Sequence, residues 1–118
     1  MIRAIVLGDG QHAHILGKLA EDWYPIDVLM YRTDNTFVYL PIGVTHFING
    51  VGGVADNRPR KEAWGAAIQF GLQPYSITHP LASDESWQHG LGLIAMNHAC
   101  IGPGVMLGNN VLINTGAI

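Results

Sequence analysis

Ile101 to Ile118 divides into three six-residue units, IGPGVM, LGNNVL and INTGAI. A large aliphatic residue opens each unit (Ile101, Leu107, Ile113), and a smaller apolar residue stands four places on (Val105, Val111, Ala117). Ala95 and Ala99 extend the same frame one unit earlier. A six-residue apolar period is the mark of a parallel β-helix, in which each unit supplies one short strand and one corner. Three units make one triangular coil, and the sequence reaches Ile118 as that coil is completed.

The residues before this stretch have a different character. All nine acidic and six basic side chains lie between Arg3 and Glu85, and none follows. A tail so poor in charge is expected to be buried by stacking coils or by a partner. At 118 residues, with 48% apolar residues and a net charge of −3, the chain suits one domain with a real core. This charge gives no case for nucleic acid or an anionic membrane as partner. No apolar run approaches the length of a membrane span, and no signal-peptide layout precedes Ile2, so a cytoplasmic setting is expected. Cys100 is the only cysteine. It cannot form an intrachain disulfide and is expected as a small buried filler.

Upstream, periodicity predicts alternating strands and helices. Ile2 to Leu7 is a nearly continuous apolar run that suits a buried parallel strand. It breaks at Gly8-Asp9-Gly10. A helix is expected from about Gln11 to Trp23, with Ile15, Leu16, Leu19 and Trp23 on its inner side. Pro25 closes that helix, and Ile26 to Tyr31 forms the second strand. Phe37, Tyr39 and Leu40 suggest an edge strand ended by Pro41, and a third core strand is expected around His46 to Val51. Asp56 or Asn57 caps a second helix, with Pro59 in its first turn and Gly71 beyond its end at Phe70. Tyr75 to Thr78 reads as a fourth strand. The resulting layout is α/β: a small Rossmann-like parallel-sheet domain over residues 1–78, a linker over 79–92, and the start of a β-helix over 93–118.

Two segments carry candidate chemistry. Gly8-Asp9-Gly10-Gln11-His12-Ala13 matches G-x-G-x-x-A between a strand and a helix. There glycines let the backbone approach a phosphate, and the helix N-terminus offers free N–H groups. A plain tight turn without ligand is the competing reading. Arg32 at the end of the second strand would suit a 2′-phosphate, yet the second half of a dinucleotide fold is absent from this stretch. A mononucleotide or nucleotide sugar therefore fits better than NADP. His12, in the first helical turn, is placed to donate to a phosphate or orient a substrate group. His14, His46, His89 and His98 read as polar caps or surface residues, and no histidine spacing suggests a zinc site. The second segment is Ala55-Asp56-Asn57-Arg58-Pro59-Arg60-Lys61. It opens a helix at the carboxyl end of a strand, the ligand edge of an open α/β sheet. Its cations stand at the wrong end of the helix dipole, a cost that a nearby anion would relieve. Arg60 is the candidate for a bidentate phosphate contact.

With the glycine loop, the Asp56-Asn57-x-x-Arg60 turn, the Ile77-Thr78-His79-Pro80 step and the hexapeptides in that order, the sequence resembles bacterial sugar O- and N-acyltransferases of the NeuD/PglD type. The resemblance implies an N-terminal Rossmann-like domain holding a sugar or nucleotide-sugar acceptor, followed by a left-handed β-helix. That helix binds acetyl-CoA and assembles as a trimer. By position, Gly8, Gly10 and His12 match the loop against the acceptor. Gln11 replaces a usual glycine, and Asp9 lies within the same loop. Asp56, Asn57 and Arg60 match the helix-opening turn, although Ala55 stands where glycine is usual. Where the family has paired aspartates after the second strand, this chain has Arg32 and Thr33, with Asp34 just beyond. The run Ile113 to Ala117 matches the segment that precedes the family's catalytic histidine.

The resemblance therefore implies the acceptor-binding front part of an acyl-CoA-dependent sugar or nucleotide-sugar acyltransferase. No catalytic base falls on any position of this chain, and no acetyl-CoA is expected to bind to it alone. Acceptor contacts are expected from Gly8, Asp9, Gly10, Gln11, His12, Asp34, Asp56, Asn57 and Arg60. The alternative is a non-catalytic nucleotide-sugar-binding or assembly module. In either case the expected partners are a small-molecule sugar acceptor and further copies of the chain, with neither nucleic acid nor membrane involved.

Overall fold

The structure is a computed structural model that describes residues 1–33, 37, 40–53 and 56–118. It divides into two compact units, Met1–Pro74 and Tyr75–Ile118.

The first unit runs β1 (Ile2–Leu7), α1 (Gln11–Trp23), β2 (Ile26–Arg32), β3 (His46–Asn49), α2 (Arg58–Phe70) and β4 (Gln73–Pro74). These make a four-stranded parallel sheet in the order β2-β1-β3-β4. The apolar run of β1 places it inside the sheet, and Ala4, Ile5, Val6 and Leu7 are all buried. Because side chains alternate along a strand, they serve two faces. Ile5 and Leu7 join Phe47, Ala63, Ala67 and Leu72 in one core with α2. Val6 lies on the α1 side, close to the backbone of Ala13 across Gly50. The β1–β2 register slips between Ala4 and Ile5, so Ala4 faces Val28 while Ile5 faces Met30.

The helices follow the sequence pattern with one change of face. In α1 the buried residues are Ala13, Leu16, Gly17, Leu19 and Ala20, whereas Ile15 and Trp23 are exposed. Ala13, Leu16, Gly17 and Ala20 form an i, i+3, i+4, i+7 stripe. Small residues let the helix lie close to the sheet, so the bulkier Ile15 and Trp23 are left outside. Helix α2 ends where Gly71 adopts φ 105° and donates its N–H to Ala67 and Ile68 carbonyls.

The expected strand at Tyr75 to Thr78 divides differently. Gln73–Pro74 pairs with β3, while Ile77–Thr78 (β5) pairs with Ile94–Ala95 in the second unit. Leu72 is buried at the end of α2's return, which draws the fourth sheet position two residues forward. The edge strand expected around Phe37 to Leu40 falls partly outside the described residues, although Phe37 itself is buried and packs on Phe70 at 5.3 Å between ring centroids.

The second unit consists of two-residue strands: β5, β6 (Ser83–Asp84), β7 (Gln88–His89), β8 (Ile94–Ala95), β9 (Cys100–Ile101), β10 (Met106–Leu107) and β11 (Leu112–Ile113). They form three parallel ladders, β5-β8-β11, β6-β9 and β7-β10. The chain visits the three in rotation, returning to each after seventeen or eighteen residues (Ile77↔Ile94, Ile94↔Leu112). Leu93, Ala95 and Ile101 form the interior, with Ala82, Leu107, Val111 and Ile113 packed against them.

The segment 79–92 is therefore no linker. It contributes β6 and β7 to the ladders, and the winding begins at Tyr75 rather than at residue 93. The period is hidden in the sequence because the turn from Ile77 to Ile94 is one residue shorter than the turn from Ile94 to Leu112. From Gly92 onward the period is strict. Gly92, His98, Gly104, Asn110 and Gly116 all have positive φ, one at every sixth position. Cys100 is exposed, contrary to its expected role as a core filler, because its neighbour Ile101 takes the inward position of that two-residue strand.

Candidate functional site

The carboxyl ends of β1, β2 and β3 converge on the glycine loop. Gly8 adopts φ 95°, a conformation natural to glycine. Its N–H donates to the Arg32 carbonyl at 2.5 Å, which ties the loop to the end of β2. A Cβ there would sit 3.2 Å from the Gly50 carbonyl oxygen. Gly10 is different. It caps α1 in an extended conformation with no side-chain capping bond, and a Cβ added to it would meet nothing within 4 Å. Packing therefore does not demand a glycine at position 10. What its absence of side chain provides is open access to the first N–H groups of α1 at Gln11, His12 and Ala13, the arrangement that suits an anion.

The carboxylate of Asp9 meets His14 Nε2 at 2.6 Å, and the His14 ring stacks on Tyr31 with centroids 3.9 Å apart. Asp9, expected as an acceptor contact, links the loop to the helix surface through this pair. His12 is half-buried, and its Nε2 has no hydrogen-bond partner among the described residues. Burial is the main reason that its pKa is lowered, with the positive charge of Arg60 adding to the effect. The ring is accordingly a neutral imidazole at pH 7 whose buried Nε2 can donate or accept according to tautomer.

The second predicted segment is tied into the fold by its own hydrogen bonds. Arg60 is only 4% exposed. Its Nη1 donates to the carbonyls of Asn49 (3.1 Å) and Val51 (2.8 Å), while Asn49 Nδ2 donates to the Arg60 carbonyl. This exchange fastens the end of β3 to the start of α2. Burial pushes the guanidinium pKa down to about 10, so it remains charged at neutral pH. Asp56 accepts the Arg58 N–H at 2.9 Å and pairs with the Arg58 guanidinium at 3.1 Å. These bonds hold its carboxyl below its ordinary value. Asp56 thus provides the capping bond, while Asn57 occupies the cap position without one. The Asn57 Oδ1 lies against Gly53, where a Cβ would approach it to 2.4 Å. Asp34 lies outside the described residues.

A cleft of about 160 Å³ opens beside these elements. Leu7 and Gly8 at the end of β1, Arg32 and Thr33 at the end of β2, and Val51 after β3 form one part of its lining. Pro59, Glu62 and Ala63 of α2 form the other. Among the described residues, Gly8 is the one predicted contact residue that lines this cleft. Gly10, Gln11 and His12 belong to the adjoining helix start, and Asp56, Asn57 and Arg60 to the neighbouring crossover. Glu62, which sequence reasoning did not single out, also lines the cleft, on the same face of α2 as Pro59 and Ala63. Among the described residues no group of three His, Cys, Asp or Glu side chains could hold a metal ion. No described helix is long and apolar enough to cross a membrane.

No family model matches the chain. Its fold, parallel sheet and winding ladders together, is that of solved acetyltransferases. One is PerB from Caulobacter crescentus, determined in complex with CoA and GDP-perosamine. It is 19% identical with a TM-score of 0.73 over 96% of this chain and 60% of its own. Another is the acetyltransferase domain of PglB from Neisseria gonorrhoeae, in complex with acetyl coenzyme A. It is 27% identical with a TM-score of 0.70, covering 97% of this chain and 62% of its own. The chain thus spans about 60% of the length of these structures. The sequence resemblance to sugar acyltransferases is matched by these neighbours.

Proposed function

We propose that this chain is the acceptor-binding part of an acyl-CoA-dependent sugar or nucleotide-sugar O-/N-acyltransferase. In this reading Met1–Pro74 is a Rossmann-like acceptor domain, and the ladders from Tyr75 are coils of a left-handed β-helix that assembles as a trimer. The observation that carries the proposal is the cleft at the carboxyl ends of three parallel strands, adjoining the start of α1, where the cap residue Gly10 makes no side-chain hydrogen bond. A phosphorylated acceptor suits both halves. Its diphosphate meets the N–H groups of Gln11, His12 and Ala13, and the remainder of the nucleotide enters the cleft.

His12 would donate one further hydrogen bond, to the diphosphate or to the sugar, from its buried Nε2. Arg60 would act from behind the loop, as a fixed positive charge that favours an anion without touching it. The acyl donor is a thioester, acetyl-CoA by likeness to the neighbours. The attacking group is a sugar hydroxyl or amine, which must lose a proton as the acyl–oxygen or acyl–nitrogen bond forms and thiolate leaves. No residue of this chain is assigned as the base that takes that proton.

Calorimetric titration of the chain with nucleotide sugars and, separately, with NADP(H) tests the reading. Saturable binding of a nucleotide sugar supports it. Binding of NADP(H) alone would replace it with a dinucleotide site, and no binding of either would leave the loop purely structural.

A further inference from the structure

Resting on the nucleotide-sugar reading, we propose that His14 is a positioning residue for the acceptor. It engages the carboxylate of Asp9 and so leaves the first N–H group of α1 open to the diphosphate. The chain supplies its own comparison. An aspartate stands two residues ahead of the first residue of each helix, Asp9 before Gln11 and Asp56 before Arg58. From such a position an aspartate readily accepts a hydrogen bond from the N–H two residues on. Asp56 does this, taking the Arg58 N–H at 2.9 Å, and Asp84 likewise takes the Ser86 N–H at 3.0 Å.

Asp9 does not. Its Oδ1 meets His14 Nε2 at 2.6 Å. Among the described residues no hydrogen bond joins it to the N–H groups of Gln11, His12 or Ala13. The His14 ring is itself held in place. It stacks on Tyr31 with 3.9 Å between centroids and 24° between planes. The Tyr31 hydroxyl in turn lies against Gly17, where a Cβ would collide with it. Gly17 thus admits Tyr31 to the surface of α1, Tyr31 carries the imidazole, and the imidazole engages the carboxylate.

The consequence is electrostatic. A carboxylate on the Gln11 N–H would cap α1 as Asp56 caps α2, and it would put a negative charge where the diphosphate has to bind. The acceptor would then have to displace it. Both side chains of the pair are about half exposed (53% and 52%), so the pair adds little to stability. Its effect falls on access to the helix start.

The test uses the whole chain with His14→Ala, Asp9→Ala and the two combined, each titrated calorimetrically with GDP and with UDP. His14→Ala should bind about threefold or more weakly than the wild type, the size of a charge contact at a helix end. Asp9→Ala should bind at least as tightly as the wild type, within about twofold, and the double variant should match Asp9→Ala. In ligand-free His14→Ala the Gln11 amide should gain hydrogen-exchange protection as Asp9 takes it, and the double variant should lose that gain. Thermal melts of all three should stay close to the wild type. His14→Ala binding within about twofold of the wild type would overturn the assignment. So would a double variant as weak as His14→Ala, since removing the carboxylate would then restore nothing. Asp9→Ala as weak as His14→Ala would show that the pair merely orders the loop, which overturns the assignment and leaves the nucleotide site standing. Failure of both GDP and UDP to bind the wild type would overturn the nucleotide reading itself, and this assignment with it.

Discussion

Gly8 and Gly10 frame one loop but differ in what a methyl group would do to them. Gly8→Ala forces a side chain into φ 95° against the Gly50 carbonyl, and the chain should lose about 1–3 kcal/mol of stability, read as a lower denaturant midpoint. Gly10→Ala meets no atom within 4 Å and should cost less than about 1 kcal/mol. It narrows the approach to the α1 N–H groups, however, so acceptor affinity should fall more than stability does. His12 adds a pH dependence. Its imidazole binds a proton more weakly when folded than when unfolded, because burial disfavours the cation. Protonation therefore favours the unfolded chain. Stability is full above the unfolded pKa of 6.5, falls as pH drops below it, and levels off beneath the lowered folded value. Thermal melts from pH 8 to pH 5 should show this loss in the wild type and a smaller loss in His12→Gln.

At the scale of elements, two kinds of glycine hold the parts in place. Gly50 follows β3 where it passes β1 and α1, and a Cβ there would lie 2.7 Å from the Leu7 carbonyl oxygen and 2.9 Å from the Ala13 Cα. Both obstacles are backbone, so Gly50→Ala must push strand and helix apart. It should cost at least about 1–3 kcal/mol, measured by chemical denaturation. The corners of the winding unit are governed by conformation instead. His98 and Asn110 adopt φ 59° in positions equivalent to Gly92, Gly104 and Gly116. Asparagine tolerates that region better than histidine. His98→Gly should therefore stabilise the chain by up to about 1 kcal/mol, and Asn110→Gly by less. A His98→Gly variant that melts below the wild type would contradict this account of the corners.

For the molecule as a whole, legibility in the sequence follows the clarity of the period. The strand at Ile2–Leu7, both helices and the Gly71 stop can be read from apolar spacing and cap residues because local physics decides them. The six-residue frame is readable from the unit around Ala95 onward. It is not readable over 79–92, where Trp87 and Leu81 are exposed and the turn is one residue short. The winding unit therefore begins well before its period becomes visible. At the site, the glycine loop is evident because a strand, a turn and a helix in sequence expose it. Arg60 carries an ambiguous signal: a cation at a helix start suggests an anion, yet here it ties Asn49 and Val51 to α2. Glu62 has no mark in its immediate neighbours that points to a ligand. Only the crossing of α2 past the strand ends brings it beside Arg32 and Gly8, and such tertiary placement is not written in any one segment.

The central claim is that a nucleotide acceptor lies across the start of α1 and the cleft beside it. The most direct measurement is amide NMR on the isotopically labelled chain during titration with a nucleoside diphosphate sugar. Saturable shifts should appear at Gly8, Gly10, Gln11, His12 and Ala13, where the diphosphate meets free N–H groups. They should appear also at Arg32, Thr33, Glu62 and Ala63, where the base enters. A titration that leaves these amides unmoved, or that shifts only others, would contradict the account.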